Sequence, residues 1–255
     1  MQTKCNTIVF ADRIVGKATL NFLLENFRQD IVAIVCTNEE SLVYNEVILN
    51  NQDLVDITYF NSQLKDDEVL QKLENLQVDY SILSWWPYII KKQVIQIPKL
   101  GTINFHPSLL PYNRGMNYNF WTIVEDTPFG VSLHFVDESI DGGDIIFQKP
   151  IEKTWEDTGA TLYEKAQSSI FELFTESYPF IRQHQYKRVV QHKEEGSFHW
   201  GKELHDASKI YLNRNYTGKE LLNILRARTF EPHPAAWFED NGKTYEVRIT
   251  IKTKN

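Results

Sequence analysis

At 255 residues the chain is long enough for one large domain, or a full domain with a short appendage, and can bury a core without disulfides or metal. Hydrophobic residues make up 42% and charged residues 24%, which excludes long disordered tracts. A net charge of −7 opposes a nucleic-acid partner, although a local basic pocket can still hold a small anion. The polar start, Met1 to Asn6, runs straight into Thr7–Ala11, an apolar run suited to a strand buried on both faces, and no signal peptide is expected. Leu20, Leu23 and Leu24 at helical spacing follow, then a second apolar run, Ile31 to Cys36. Strand, helix and strand in under forty residues is the pattern of a parallel crossover unit. Ile57 to Phe60 reads as a weaker third strand, and Val69, Leu70, Leu73 and Leu76 mark an amphipathic helix. Tyr80 to Leu83 and Gly101 to Asn104 read as two more buried strands.

This alternation predicts an α/β fold, a Rossmann-like, doubly wound and mostly parallel sheet. Two further β-rich pieces, Val131 to Val136 and Ile145 to Phe147, flank Asp141-Gly142-Gly143. Leu162, Ala166, Ile170, Leu173 and Phe174 share one face of a long helix from Thr161 to Ile181. Past Tyr186 the texture changes to short polar segments, a small helix around Leu221 to Leu225, and Tyr245 to Ile249, which alternates like an antiparallel strand. A domain over 1–185 and a small C-terminal α+β region over 186–255 are expected. Cys5 and Cys36 have no ligand-like spacing, so neither a disulfide scaffold nor a paired-Cys zinc site is expected. No apolar run approaches bilayer length, and a cytoplasmic, soluble protein with no membrane partner is expected.

The stretch Asn104-Phe105-His106-Pro107-Ser108-Leu109-Leu110-Pro111 starts at the carboxyl end of a predicted strand, where open α/β sheets place ligand sites. Asn104 and His106 are two apart, so in an extended chain they share a face. A neutral imidazole can relay a proton and a carboxamide can donate to a developing oxyanion. Both could equally do no more than satisfy buried backbone at a strand end. Asp137 to Asp144 describes a tight acidic loop whose spacing does not fit an EF-hand. One of its carboxylates could stabilise a histidinium, or the loop could be a solvated turn.

Together, Asn104-x-His106-Pro-Ser-Leu-Leu-Pro111 and the later Asp141-Gly-Gly resemble the signature of the 10-formyltetrahydrofolate-dependent formyltransferases, over roughly residues 7 to 182. The resemblance implies a catalytic set of Asn104, His106 and Asp141, and N10-formyltetrahydrofolate as co-substrate; the residues show no ligand-like set and hydrogen bonds can activate a formyl carbonyl, so no metal is expected. In Ser84-Trp85-Trp86-Pro87-Tyr88-Ile89-Ile90, composition alone suggests core, whereas the resemblance implies folate contacts from Tyr88, Ile89 and Ile90, with Val136 and Asp137 from the acidic loop. Ala11 to Lys17 holds a single Gly where the purine-pathway enzymes have a phosphate loop. The acidic Thr37 to Glu40 replaces the basic insertion of the methionyl-tRNA enzymes, and too little chain is expected to remain for their C-terminal barrel. What remains is similar to the enzymes that formylate nucleotide-linked (dTDP-linked) amino-dideoxy sugars for surface polysaccharides such as lipopolysaccharide O-antigen. That resemblance implies substrate contacts from Arg114, Asn117 and Asn119 and a homodimer. Glycinamide ribonucleotide, methionyl-tRNA, or a non-catalytic formyl-folate-binding role are the alternatives.

Overall fold

The computed structural model describes residues 4–254. Residues 1–3, part of the polar start, lie outside the described residues. In chain order, β1 (Thr7–Ala11) leads into α1 (Arg13–Phe27), β2 (Ile31–Cys36), the short α2 (Gln52–Val55) and β3 (Thr58–Phe60). Next come α3 (Asp67–Asn75), β4 (Tyr80–Ser84), α4 (Lys92–Ile95) and β5 (Gly101–His106). They are followed by β6 (Arg114–Gly115), α5 (Tyr118–Val124), β7 (Gly130–Phe135) and β8 (Ile145–Pro150). The long α6 (Gly159–Ile181) precedes β9 (Phe198–His199), α7 (Glu203–Ala207), α8 (Gly218–Ala227) and the strands β10 (Ala236–Asp240) and β11 (Lys243–Val247).

The main sheet has seven strands in the order β3-β2-β1-β4-β5-β7-β8. Pairs β2–β3, β1–β2, β1–β4 and β4–β5 are parallel, and β5–β7 is antiparallel. This is the Rossmann-like, mostly parallel sheet that the alternation predicts. Every residue of β1 and β4 is buried, so neither alternates apolar with polar: β1 is apolar after Thr7, and β4 buries Ser81 and Ser84 beside Ile82 and Leu83. α1 buries Val15, Thr19, Leu20 and Leu23, and it crosses close to β1 at Gly16, where a Cβ would lie 2.8 Å from the Ala11 carbonyl carbon. The start of α3 is fixed by Asp66, whose side chain accepts from Glu68 N at 2.9 Å. Its Val69, Leu70 and Leu73 face inward, joining Ile8, Phe10 and Val35 in one apolar cluster.

The chain forms two compact units. The first takes in the chain up to His106, Ser132–Gln148 and Ile170–Gln191; the second takes in Pro107–Val131, Lys149–Ser169 and the chain from His192. In the first unit Asp30, fully buried after α1, receives a two-pronged ion pair from Arg182 (Nε to Oδ2, 2.8 Å; Nη2 to Oδ1, 3.0 Å). In the second unit Trp121 stacks on His199 with ring centroids 3.7 Å apart, and His199 Nε2 lies 2.7 Å from Glu125. α8 begins with a capping box between Thr217 and Glu220. β10 and β11 pair antiparallel across Asn241-Gly242, both at positive φ, the turn chemistry that suits a two-residue hairpin. Among the described residues no helix is long and apolar enough to cross a membrane.

Candidate active site

β5 ends in Asn104-Phe105-His106, so the motif read at a strand end is part of the strand itself. Alternation sends Asn104 and His106 to one face and the core residue Phe105 to the other, against the Phe174 ring at 4.9 Å. The antiparallel neighbour β7 sets His134 directly across from Asn104 and Ser132 across from His106. Asp141 reaches the same place from the loop between β7 and β8. Its Oδ2 lies 3.4 Å from His106 Nδ1, and its Oδ1 accepts from Asn104 Nδ2 at 3.4 Å. The three residues singled out in the sequence therefore converge.

The loop that carries Asp141 is tightly built. Asp137 Oδ1 accepts from Ser139 N at 2.7 Å, and Phe135 N donates to Asp144 O at 2.8 Å. Asp141 has φ +50, a left-handed conformation uncommon for a residue with a side chain. Gly143 is required by space, since a Cβ there would lie 2.1 Å from Phe135 O. This close approach is the physical content of the Asp-Gly-Gly signature.

His134 is the residue that sequence reasoning missed. It is 1% exposed, its Nδ1 lies 2.9 Å from Phe135 O, and its Nε2 lies 3.2 Å from Asn104 Nδ2. A carbonyl only accepts, so Nδ1 carries the hydrogen and Nε2 presents its lone pair to the Asn104 amide. That chain of donors fixes which end of the Asn104 carboxamide faces His134 and Asp141. A signal did exist: Ser132 and His134 are polar residues inside a strand whose every position is buried.

Burial pushes the His134 pKa from 6.5 down to about 4, against the opposing pull of Asp141. The folded value is depressed, so its contribution to stability is complete above about pH 6.5 and declines as pH falls toward 4. Thermal melts between pH 7 and pH 4 should therefore show a flatter acid-side loss in His134→Gln than in the wild type. Equal slopes would contradict the assignment. On turnover, His134→Leu should cost about tenfold by releasing Asn104. His134→Gln should recover part of it, because its Oε1 can accept the same hydrogen.

The residues expected to contact folate fall in two groups. Tyr88, Ile89 and Ile90 line a cavity of about 490 Å³ together with Leu64, Pro87 and Val94. Tyr88 is 48% and Ile89 86% exposed, so apolar surface is presented rather than buried. Val136 joins Ile90 in packing on the apolar cluster of the first unit, whereas Asp137 is exposed and caps its own loop. Neither Val136 nor Asp137 is among the residues lining that cavity.

Arg114, Asn117 and Asn119 belong to the second unit. Arg114 Nη2 donates to Lys193 O at 3.2 Å, and its Nε is buried with no hydrogen-bond partner. Asn117 stands at φ +60 ahead of α5. Asn119 is 8% exposed, and its Nδ2 donates to Gly159 O at 2.9 Å, so this amide ties its own unit together.

As for metals, His106, His134 and Asp141 each offer a ligand atom, all within 4.8 Å of one another, so these are the described residues that could hold an ion.

A family profile described as formyl transferase matches residues 8–176, more than half of the chain. A second, described as an N-formyltransferase dimerization C-terminal domain, matches residues 203–253. A methionyl-tRNA formyltransferase from Fusobacterium nucleatum is 31% identical over 201 residues, covering 77% of this chain and 63% of that protein. The chain thus spans less than two thirds of the length of this curated relative. In structure it is similar to a 4-N formyltransferase from Francisella tularensis, with a TM-score of 0.80, 24% identity, and 98% and 99% of the two chains covered. An N-formyltransferase from Helicobacter canadensis, solved with folinic acid and dTDP-3-aminofucose, has a TM-score of 0.69 and 21% identity over 93% of this chain and 85% of that one. These structural likenesses are likenesses of fold, and the sequence match carries the assignment. The chain belongs to the formyl transferase family.

Proposed function

We propose that the protein transfers a formyl group from N10-formyltetrahydrofolate to the amine of a nucleotide-linked amino sugar, and that Asn104, His106 and Asp141 carry the reaction. The observation that carries this reading is the convergence of the three side chains at the carboxyl end of β5. The Asp141 carboxylate faces His106 Nδ1, which leaves Nε2 as the basic nitrogen of the ring. His106 accepts a proton from the attacking amine and moves it toward the leaving folate nitrogen as the old carbon–nitrogen bond breaks. Asn104 turns one hydrogen of Nδ2 from its long bond to Asp141 toward the formyl oxygen as charge develops there, while His134 holds the other.

The apolar cavity at Tyr88, Ile89 and Ile90 suits the flat pterin of the co-substrate. For the acceptor, Arg114 with its partnerless Nε is the proposed partner of a diphosphate, and Asn117 of sugar hydroxyls. The net charge of −7 and the match of residues 203–253 to a dimerization domain of N-formyltransferases favour a sugar acceptor and a homodimer. The nucleotide sugar bound by the Helicobacter canadensis protein points the same way. Residues 1–185 are assigned to catalysis and 186–255 to the small C-terminal region. The second reading is methionyl-tRNA as acceptor, favoured by the identity with the Fusobacterium nucleatum protein.

Formyl transfer needs no metal when hydrogen bonds activate the carbonyl. After dialysis against a chelator, the protein should still formylate a dTDP-linked amino sugar at its full rate, followed by mass spectrometry of the product. Activity lost on dialysis and restored by zinc would reassign His106, His134 and Asp141 to holding an ion.

A further inference from the structure

Gln191 lies between the stretches matched by the two family profiles. It is 7% exposed, and its Nε2 donates to two carbonyls of one loop, Asp141 O at 3.0 Å and Gly143 O at 2.6 Å. Two carbonyl acceptors require two N–H donors, so the chemistry allows the amide only this orientation. Its Oε1 is left buried with no hydrogen-bond partner. Leaving a buried acceptor unpaired is destabilising. Folds keep such departures from local satisfaction mainly where a site requires them.

What the arrangement secures is the backbone of Asp141. A residue with a side chain at φ +50 is strained and persists only when its surroundings over-determine it. The bonds of Ser139 to Asp137 and of Phe135 to Asp144 tie the loop to itself or to the strand it leaves. Gln191 instead reaches it from a segment that is anchored independently. Val189 exchanges both backbone hydrogen bonds with Ile145, at 2.9 and 2.8 Å. Arg188 sits 3.6 Å over the Phe135 ring and donates to Leu100 O at 3.0 Å. Tyr186 OH meets Tyr80 OH at 2.7 Å. The segment is thus fastened to β4, β7 and β8, and to Leu100 just ahead of β5, before Gln191 is reached.

We propose that Gln191 is a positioning residue, which clamps the Asp141–Gly143 backbone so that the Asp141 carboxylate stays against His106 and Asn104. Two variants test it. Gln191→Met keeps the length and burial but has no N–H, and Gln191→Glu turns oxygen toward both carbonyls. Amide hydrogen exchange over Gly142 to Ile145 should become at least about tenfold faster in both, with β1 and β4 unchanged. Unaltered loop exchange overturns the proposal, whatever the protein catalyses. The kinetic arm rests on the formyl-transfer reading. There Gln191→Met should lower kcat by roughly tenfold to a hundredfold, but should lower it no further when Asp141 is already Asn. An equal loss in both backgrounds would show that Gln191 does not act through Asp141 and would also overturn it. Should the wild type transfer no formyl group, the exchange measurement still decides the role of Gln191, and only the functional reading falls.

Discussion

His106→Ala should lower formyl transfer by about a thousandfold while folate binding stays nearly intact. The imidazole has no part in the cavity lined by Tyr88, Ile89 and Ile90, so the ground-state contacts of the co-substrate survive the change. In the proposed mechanism, what is lost is the group that takes the proton of the attacking amine, and this matters only as the new bond forms. Asp141→Asn should behave similarly, because the carboxylate faces His106 Nδ1 at 3.4 Å and stabilises the charge the ring acquires. In the wild type, turnover should rise with pH as the acceptor amine loses its proton, then level off. Single-turnover kinetics together with folinic acid titration separate the chemical step from binding. A variant that turns over like the wild type would remove His106 from the mechanism.

Asp30→Ala should destabilise the protein by about 3–5 kcal/mol, the usual consequence of leaving one member of a buried ion pair alone. Arg182 has a 2% exposed side chain and meets Asp30 through two bonds, and its pKa is raised by that hydrogen bonding. Asp30 also accepts from Tyr178 OH and Cys5 N, both at 3.2 Å. Its removal therefore strands Cys5 N as well as the guanidinium, while Tyr178 OH keeps Thr7 Oγ1 at 3.3 Å. The double variant Asp30→Leu/Arg182→Met should recover much of the loss, since apolar replacement of a whole buried pair is often tolerated. It should not recover all of it, because Cys5 N still lacks an acceptor. Urea unfolding measures each step, and a single-variant loss below about 1 kcal/mol would mean the pair behaves like a surface bridge.

Much of this arrangement was legible in the sequence because its signals are local. The apolar runs at β1 and β2 mark strands buried on both faces, and the spacing of Val69, Leu70 and Leu73 marks α3. Asn104 and His106 were readable for the same reason, since alternation alone puts them on one face. Asp141 could be attached to them only through the family signature, because the loop conformation that brings it there depends on the space beside Phe135 O. His134 needed the antiparallel register of β5 and β7, which no local pattern specifies. Gln191 left no trace at all, as its bonds span 48 and 50 positions and its neighbours in sequence are ordinary. In Asn119 the sequence offered an amide suited to a sugar, and the fold directs that amide to Gly159 O.

The central claim is tested most directly by comparing kcat/KM for four acceptors with the same formyl-folate donor. These are a dTDP-linked amino sugar, the corresponding free amino sugar, glycinamide ribonucleotide and charged initiator tRNA. The account predicts that the nucleotide-linked sugar is preferred, and that Arg114→Ala reduces that preference by weakening binding roughly 1.5–3 kcal/mol, the worth of a charged hydrogen bond. Preferred use of any of the other three would contradict the sugar-nucleotide assignment, and no transfer to any of them would contradict the formyltransferase reading itself.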